Sequence, residues 1–384
     1  MSIIDCRHFN GYKPCNRNPS CDDKCPKKEI SKGNLLIVHL DAMGAVLRST
    51  ALLPAIIRAY PGYKIHWITR KRNLDLLANI PLIDQVFDDS VQTVRELLTV
   101  QFDVALVIDK ALDAIGLVRQ IGVDKIVGFK SNPKNGAILP ANPEATELWK
   151  IGLDDNLKFF GNQKTENRLV HEALNLGEYV FDDYLVKLTD AENKESERRK
   201  KVWQREGLPI IGINTGCADV IPAKKFSIER HRSLIEELSK VYKGTIVLLG
   251  GPEDKTRNEH IGYGLDVIQS PTHRGIRDGL VSIDACDVIF TGDSLGMHMA
   301  IGLKKWVIPW FGPTCAQEIE LYGRGRKIQS PANCSPCWKR DCDKEVMCYD
   351  QVIINDIVEA IKEGVKWTQK KYSSYKQPLS EMRS

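Results

Sequence analysis

The sequence predicts an α/β protein built from two successive doubly wound halves. Three observations carry that expectation. Several short apolar runs have strand length and no polar alternation, as strands do when covered on both faces: Leu35–Leu40, Val104–Asp109, Ile210–Asn214 and Thr245–Leu249. Segments with helical periodicity separate these runs. The series then breaks at the strongly charged helical stretch Ala191–Glu206 and begins again. A chain of 384 residues is long enough for two cores.

The elements follow in order. Leu35–Leu40 is a buried strand, and Val46–Tyr60 reads as a helix. Lys64–Thr69 is a strand, with a helix through Ile80 after it. Val104–Asp109 precedes a helix toward Ile121 and a strand at Ile126–Phe129. In the second series, strand Ile210–Asn214 leads to helix Ser227–Val241. Strand Thr245–Leu249 leads to a helix from Asp254, then a helix over Ile276–Ala285 and a strand at Val288–Phe290. Val352–Thr368 is the last helix, and Lys370–Ser384 reads as a frayed tail. The expected divisions are a cysteine-rich segment (1–32), a first domain (33–190), a second domain (205–351, with a cysteine-rich loop at 334–348), and a terminal helix and tail (352–384).

Composition narrows the function. With 42% hydrophobic and 27% charged residues the chain is ordinary for a globular protein. A net charge of +4 suits an anionic small ligand and leaves room for contact with an acidic membrane face. No basic stripe interleaved with aromatics points to nucleic acid. Neither an apolar signal core nor a membrane-length apolar run is present, so the expected compartment is the cytoplasm, or the inner face of an inner membrane.

The strand ends of the second series carry the chemistry. Asn214-Thr-Gly-Cys-Ala218 follows a strand, and Lys224-Lys-Phe-Ser227 precedes a helix. Leu249-Gly-Gly-Pro-Glu-Asp254 is a glycine turn that lets backbone approach a ligand. Thr291-Gly-Asp-Ser-Leu-Gly-Met-His298 runs from a strand into a helix, and Phe311-Gly-Pro-Thr314 closes the next strand. Peptide N–H groups at a helix start lack partners and carry partial positive charge, which suits a diphosphate.

This ordered set resembles the nucleotide-sugar site of the heptosyltransferases of glycosyltransferase family 9. The resemblance spans about Asn34–Lys362 and implies the GT-B architecture, two Rossmann-like domains facing a central cleft. It implies ADP-heptose as donor and an inverting transfer to a hydroxyl of a lipopolysaccharide core sugar, another glycan or a surface protein. On the donor side it assigns Thr215, Gly216 and Lys224 to the diphosphate. Glu253 or Asp254, with Asp254 the better match, would bind the ribose hydroxyls, and Asp293, Ser294, Leu295, Gly296 and His298 would lie beneath diphosphate and nucleoside. Relative to the family's Asp-Thr-Gly-Leu-x-His, Gly and Leu have exchanged places here. A lysine serves a leaving diphosphate whose charge grows in the transition state, so no catalytic metal is expected.

The first series supplies the acceptor side. His39-Leu-Asp-Ala-Met-Gly-Ala-Val-Leu-Arg-Ser-Thr50 resembles the family's first strand-turn-helix, in which a Gly-Asp pair provides the general base. Here the pair is Gly44-Ala45, and alanine cannot accept a proton. Three readings stand: an engineered replacement, which the intact surroundings favour; a base shifted to Asp41; or a binder that does not catalyse. Arg48 and Arg70 are candidates for holding an anionic acceptor, against a solvated basic rim.

Eleven cysteines in a cytoplasmic chain point to metal rather than disulfides. Cys334, Cys337, Cys342 and Cys348 suit tetrahedral zinc or rubredoxin-like iron; Cys6, Cys15, Cys21 and Cys25 could make a second knot. A non-catalytic nucleotide-sugar scaffold, a nucleotide-sugar epimerase of the same shape and a homo-oligomer complete the alternatives.

Overall fold

The computed structural model describes residues 5–9 and 11–376. The chain divides into two compact units, one comprising residues 1–42, 49–155 and 166–182, the other residues 43–48, 156–165 and 183–384. The cysteine-rich leader thus belongs to the first unit and the terminal helix to the second. Three short stretches of the expected first domain, 43–48, 156–165 and 183–190, also cluster with the second unit.

The first unit contains strands β1 (Asn34–Val38), β2 (Lys64–Thr69), β3 (Gln85–Asp88), β4 (Phe102–Val107), β5 (Val123–Ser131) and β6 (Ile138–Pro140). They form one sheet in the order β3-β2-β1-β4-β5-β6. The first five run parallel, and β6 pairs antiparallel with β5 at the edge. Leu35, Leu36, Ile37 and Val38 are fully buried, as a central strand covered on both faces requires.

The second unit repeats the plan with β7 (Ile211–Asn214), β8 (Ile246–Leu249), β9 (Ile268–Gln269), β10 (Val288–Gly292), β11 (Trp306–Phe311) and β12 (Ile328–Gln329). Its order is β12-β11-β10-β7-β8-β9, with every neighbouring pair parallel. Helix Ile228–Val241 puts Leu234, Ile235 and Leu238 into a core shared with Phe226, Phe290 and Trp310. The terminal helix Ile354–Lys376 adds Ile357, Val358 and Ile361. In each sheet the strand order reverses between the first strand and the fourth, β1/β4 and β7/β10. Doubly wound folds place ligands at such switch points, beyond the carboxyl ends of the strands.

Several elements differ from expectation. The helix expected over Val46–Tyr60 is three pieces, Met43–Ser49, a 3-10 turn Thr50–Leu52, and Leu53–Ala59. Pro54 has no N–H to give and its ring crowds the carbonyl four residues back, so the first helix cannot continue through it. The helix after β2 shortens to Lys71–Asn73 and Leu74–Leu77, ahead of Asn79 at φ 66°. The last helix runs past Thr368 to Lys376, and the remainder of the expected tail, 377–384, lies outside the described residues.

Candidate functional site

Within the second unit, the ends of β7 and β10 meet at the switch point. Asn214 ends β7, and its amide Nδ2 donates to the Gly216 carbonyl at 3.0 Å, the Thr291 hydroxyl at 3.1 Å and the Ser294 hydroxyl at 3.0 Å. This side chain ties the two strand-end turns together. A Cβ on Gly296 would stand 2.8 Å from the Asn214 side chain, so the turn requires glycine there. The exchange of Gly and Leu relative to the family motif thus places the small residue where Asn214 packs.

Lys224 closes a 3-10 turn, Pro222–Lys224. Its ammonium pairs with Asp293 Oδ2 at 2.9 Å, and both side chains are largely buried. A Cβ on Gly292 would lie 2.1 Å from the Lys224 carbonyl oxygen, so only glycine lets these backbones approach. Burial alone would raise the Asp293 pKa. The charge of the Lys224 ammonium and its hydrogen bond outweigh it and hold the group below the usual value. Asp293 is therefore a carboxylate at neutral pH, and Lys224 stands at the mouth of helix Leu295–Gly302 with its charge partly matched.

His298 lies in that helix, buried, with its ring stacked on Tyr184 at 6.0 Å between centroids. Burial, with the nearby Arg48 charge, lowers its pKa to about 3, so the imidazole is neutral at physiological pH. A Cβ on Gly44 would come 2.4 Å from the His298 ring. The Met43–Arg48 segment thus packs on the Asp293–His298 motif inside one unit, and half-buried Ala45 is the next residue.

The Gly-Gly turn sorts the two acidic candidates. Asp254 is buried, accepts a hydrogen bond from the Gly251 N–H at 2.9 Å, and sits where a Cβ on Gly216 would be 1.9 Å from its carboxylate. Burial raises its pKa. It braces the turn, and Glu253 is the exposed one of the pair. Thr215 is likewise inward: it is fully buried and its hydroxyl bonds the Leu249 carbonyl and Asn258. Cys217 packs against the Asp293 carbonyl, and burial pushes its thiol up to about 11, which fits a packing residue.

The first unit's strand ends are organised differently. Asp109, just beyond β4, is buried and accepts a hydrogen bond from the Leu40 N–H. Burial pushes its carboxyl up to about 7; Asp41 and Asp113 add to this against the backbone donors Leu40 and Asp41. His39 Nε2 lies 3.6 Å from Asp109, and its Nδ1 is 2.8 Å from the Ser49 hydroxyl. Arg70 does not stand open to an anion: its guanidinium binds Asp41, Asp89 and Asp113. Arg72 also binds Asp41, which therefore meets two guanidiniums.

The expected metal knots are not borne out. The cysteines are all free thiols, and among the described residues no three His, Cys, Asp or Glu side chains form a group that could hold an ion. Cys334 and Cys342 are exposed, whereas Cys337 and Cys348 are half-buried against the β11 turn.

The family model for glycosyltransferase family 9 (heptosyltransferase) matches residues 91–347, more than half of the sequence. The chain belongs to glycosyltransferase family 9. Solved structures agree with a fold of this family. A family 9 glycosyl transferase from Veillonella parvula superposes with a TM-score of 0.70 at 14% identity, covering 88% of this chain and 98% of that one. The ADP-heptose LPS heptosyltransferase II of E. coli gives 0.63 at 16% identity, covering 88% and 99%. E. coli heptosyltransferase WaaC with ADP gives 0.56 at 14%, covering 86% and 99%. No curated protein matches in sequence. Among the described residues no helix is long and apolar enough to cross a membrane.

Sequence reasoning missed Asn214, Asn258 and Tyr184. The strand-end motif gives Asn214 no role of its own; the signal for it is an amide at a strand end beside two glycine turns. Asn258 and Tyr184 lie outside every recognised motif and only the fold brings them in.

Proposed function

We propose that the chain is an inverting glycosyltransferase that binds ADP-heptose, or a close nucleotide sugar, and transfers the sugar to a hydroxyl of a glycan or protein. The observation that carries this reading is the Lys224–Asp293 pair at the start of helix Leu295–Gly302, on the β7/β10 switch point. In this reading Lys224 and the helix N–H groups receive the charge that develops on the leaving diphosphate. Asp293 orients the lysine, and neutral His298 supports the motif from beneath. Glu253 takes the ribose hydroxyls. Ala45 marks the position of the expected base, and the acceptor side of the first unit remains part of the same proposal.

A nucleotide-sugar binder with slow turnover is the second reading. Ala45 favours it, because alanine stands where the base is expected and cannot accept a proton, while Gly44 packs on the His298 ring. Calorimetric titration with ADP and assay of ADP release from ADP-heptose test both. Wild-type binding with a loss of about 100-fold in Lys224→Ala supports the donor site. Ala45→Asp should raise ADP release by about 100-fold or more if a missing base limits turnover. Binding of ADP with no turnover in either protein would leave the binder reading. Absence of ADP binding in wild type would overturn both.

A further inference from the structure

The loop that carries the C-terminal cysteines is fastened to the donor side of the second unit. The N–H groups of Cys337 and Trp338 both donate to the Pro313 carbonyl, at 3.1 and 2.8 Å, and the Ser335 hydroxyl bonds the Gly312 carbonyl. The Ser330 hydroxyl donates to the Cys348 carbonyl at 2.7 Å, so the other end of the loop is held too. These bonds present Trp338, whose φ of 52° is a left-handed conformation that a bulky residue rarely adopts. Strain of this kind clusters at ligand sites. Trp338 is 37% exposed.

Two ammonium groups converge on that ring. Lys158 Nζ is 3.7 Å from the ring centroid and Lys224 Nζ is 5.6 Å from it. Lys158 rides on a π-helical turn, Leu157–Gly161, a rare geometry that is frequent at functional sites. The turn is fixed by Gln317, whose amide donates to the carbonyls of Lys158 at 3.3 Å and Phe159 at 3.2 Å. Segments around residues 158, 224, 313–317 and 338 therefore meet at one place within one unit.

We propose that Lys158 and Trp338 are additional residues of the nucleoside-diphosphate site. Trp338 holds two lysines on its π surface, and Lys158 supplies the second cation for the diphosphate. The charges support this. Asp293 matches Lys224, which leaves Lys158 as the surplus positive charge of the cluster, and a diphosphate carries more negative charge than one lysine balances. An aromatic face steadies an ammonium without neutralising it, so the cation remains available to a phosphate. This inference rests on the donor-site reading above.

Titration of the full-length chain with ADP and with AMP tests it. Lys158→Met and Trp338→Ala should each weaken ADP binding about tenfold. Lys158→Met should change AMP binding less, because AMP lacks the second phosphate. Trp338→Phe should stay within about threefold of wild type, since phenylalanine also offers a π face. If both Lys158→Met and Trp338→Ala bind ADP as wild type does while Lys224→Ala fails, this assignment falls and the donor site stands. If wild type binds no ADP, the donor site falls and takes this assignment with it. Should Trp338→Ala not fold, Lys158→Met decides alone.

Discussion

Asp109 and Asp293 occupy corresponding places in the two units, each just beyond the fourth strand of a sheet with the same order. Both are largely buried, yet their carboxyls shift in opposite directions. Burial wins at Asp109, whose charged neighbours Asp41 and Asp113 are of like sign, and its pKa rises to about 7. At Asp293 the Lys224 ammonium overrides burial and the pKa falls. The fold repeats, but the residues placed on the strand ends decide whether the switch point offers a fixed charge pair or a carboxyl that titrates near neutrality. In the second unit the pair sits beside a helix start and an exposed acidic turn. In the first, Arg70 is taken up by three carboxylates and Arg72 by one of them, so neither guanidinium stands open.

The largest test of that contrast is the pH dependence of stability. Folded Asp109 has a pKa near 7, against 3.8 when exposed in the unfolded chain. The folded state therefore binds its proton more tightly, and this group's contribution is fully present below about pH 4 and lost as pH rises through 7. The span is on the order of 4 kcal/mol. Denaturant titrations from pH 4 to 7 should show Asp109→Asn gaining on wild type as pH rises; parallel curves would sink the claim.

Gly292→Ala comes next. The new Cβ would meet the Lys224 carbonyl at 2.1 Å, and backbone cannot step aside as a side-chain tip can. A loss of about 3 kcal/mol is expected, with weaker ADP binding because Lys224 moves off Asp293. Gly116→Ala is the control from the first unit. It lies in helix Leu112–Ile121 with open space around the added methyl, and should gain about 0.5–1 kcal/mol. A neutral Gly292→Ala would show that the close approach is not needed.

These residues also mark how far the sequence could be read. Continuous apolar runs identified the central strands of both sheets, because burial on both faces leaves an unbroken signature. The edge strands β3, β6, β9 and β12 escaped, being short or half-exposed and lacking that signature. Asp293 and His298 were legible as a motif, since glycine, charge and helix start lie close together in sequence, and Lys224 as a lysine just before a separate helix start. The inward turn of Asp254 and Thr215 was not, because it depends on where Gly216 and Asn258 fall in space. Arg70 looked like an open anion binder for the same reason: its three aspartates come from separate parts of the first unit.

Arg70→Ala is the smallest of these effects and separates the units most cleanly. The substitution leaves Asp89 and Asp113 without their guanidinium and Asp41 with Arg72 alone. Arg70 is 29% exposed and Asp113 51%, so water and salt screen much of the interaction. A loss of about 1 kcal/mol is expected at low ionic strength, shrinking toward zero in about 1 M salt, where the Debye length is roughly 3 Å. ADP affinity should not move, because no donor residue pairs with this network. A tenfold fall in ADP affinity would mean that Arg70 serves the donor, and that the two strand-end clusters are not the separate systems their chemistry describes.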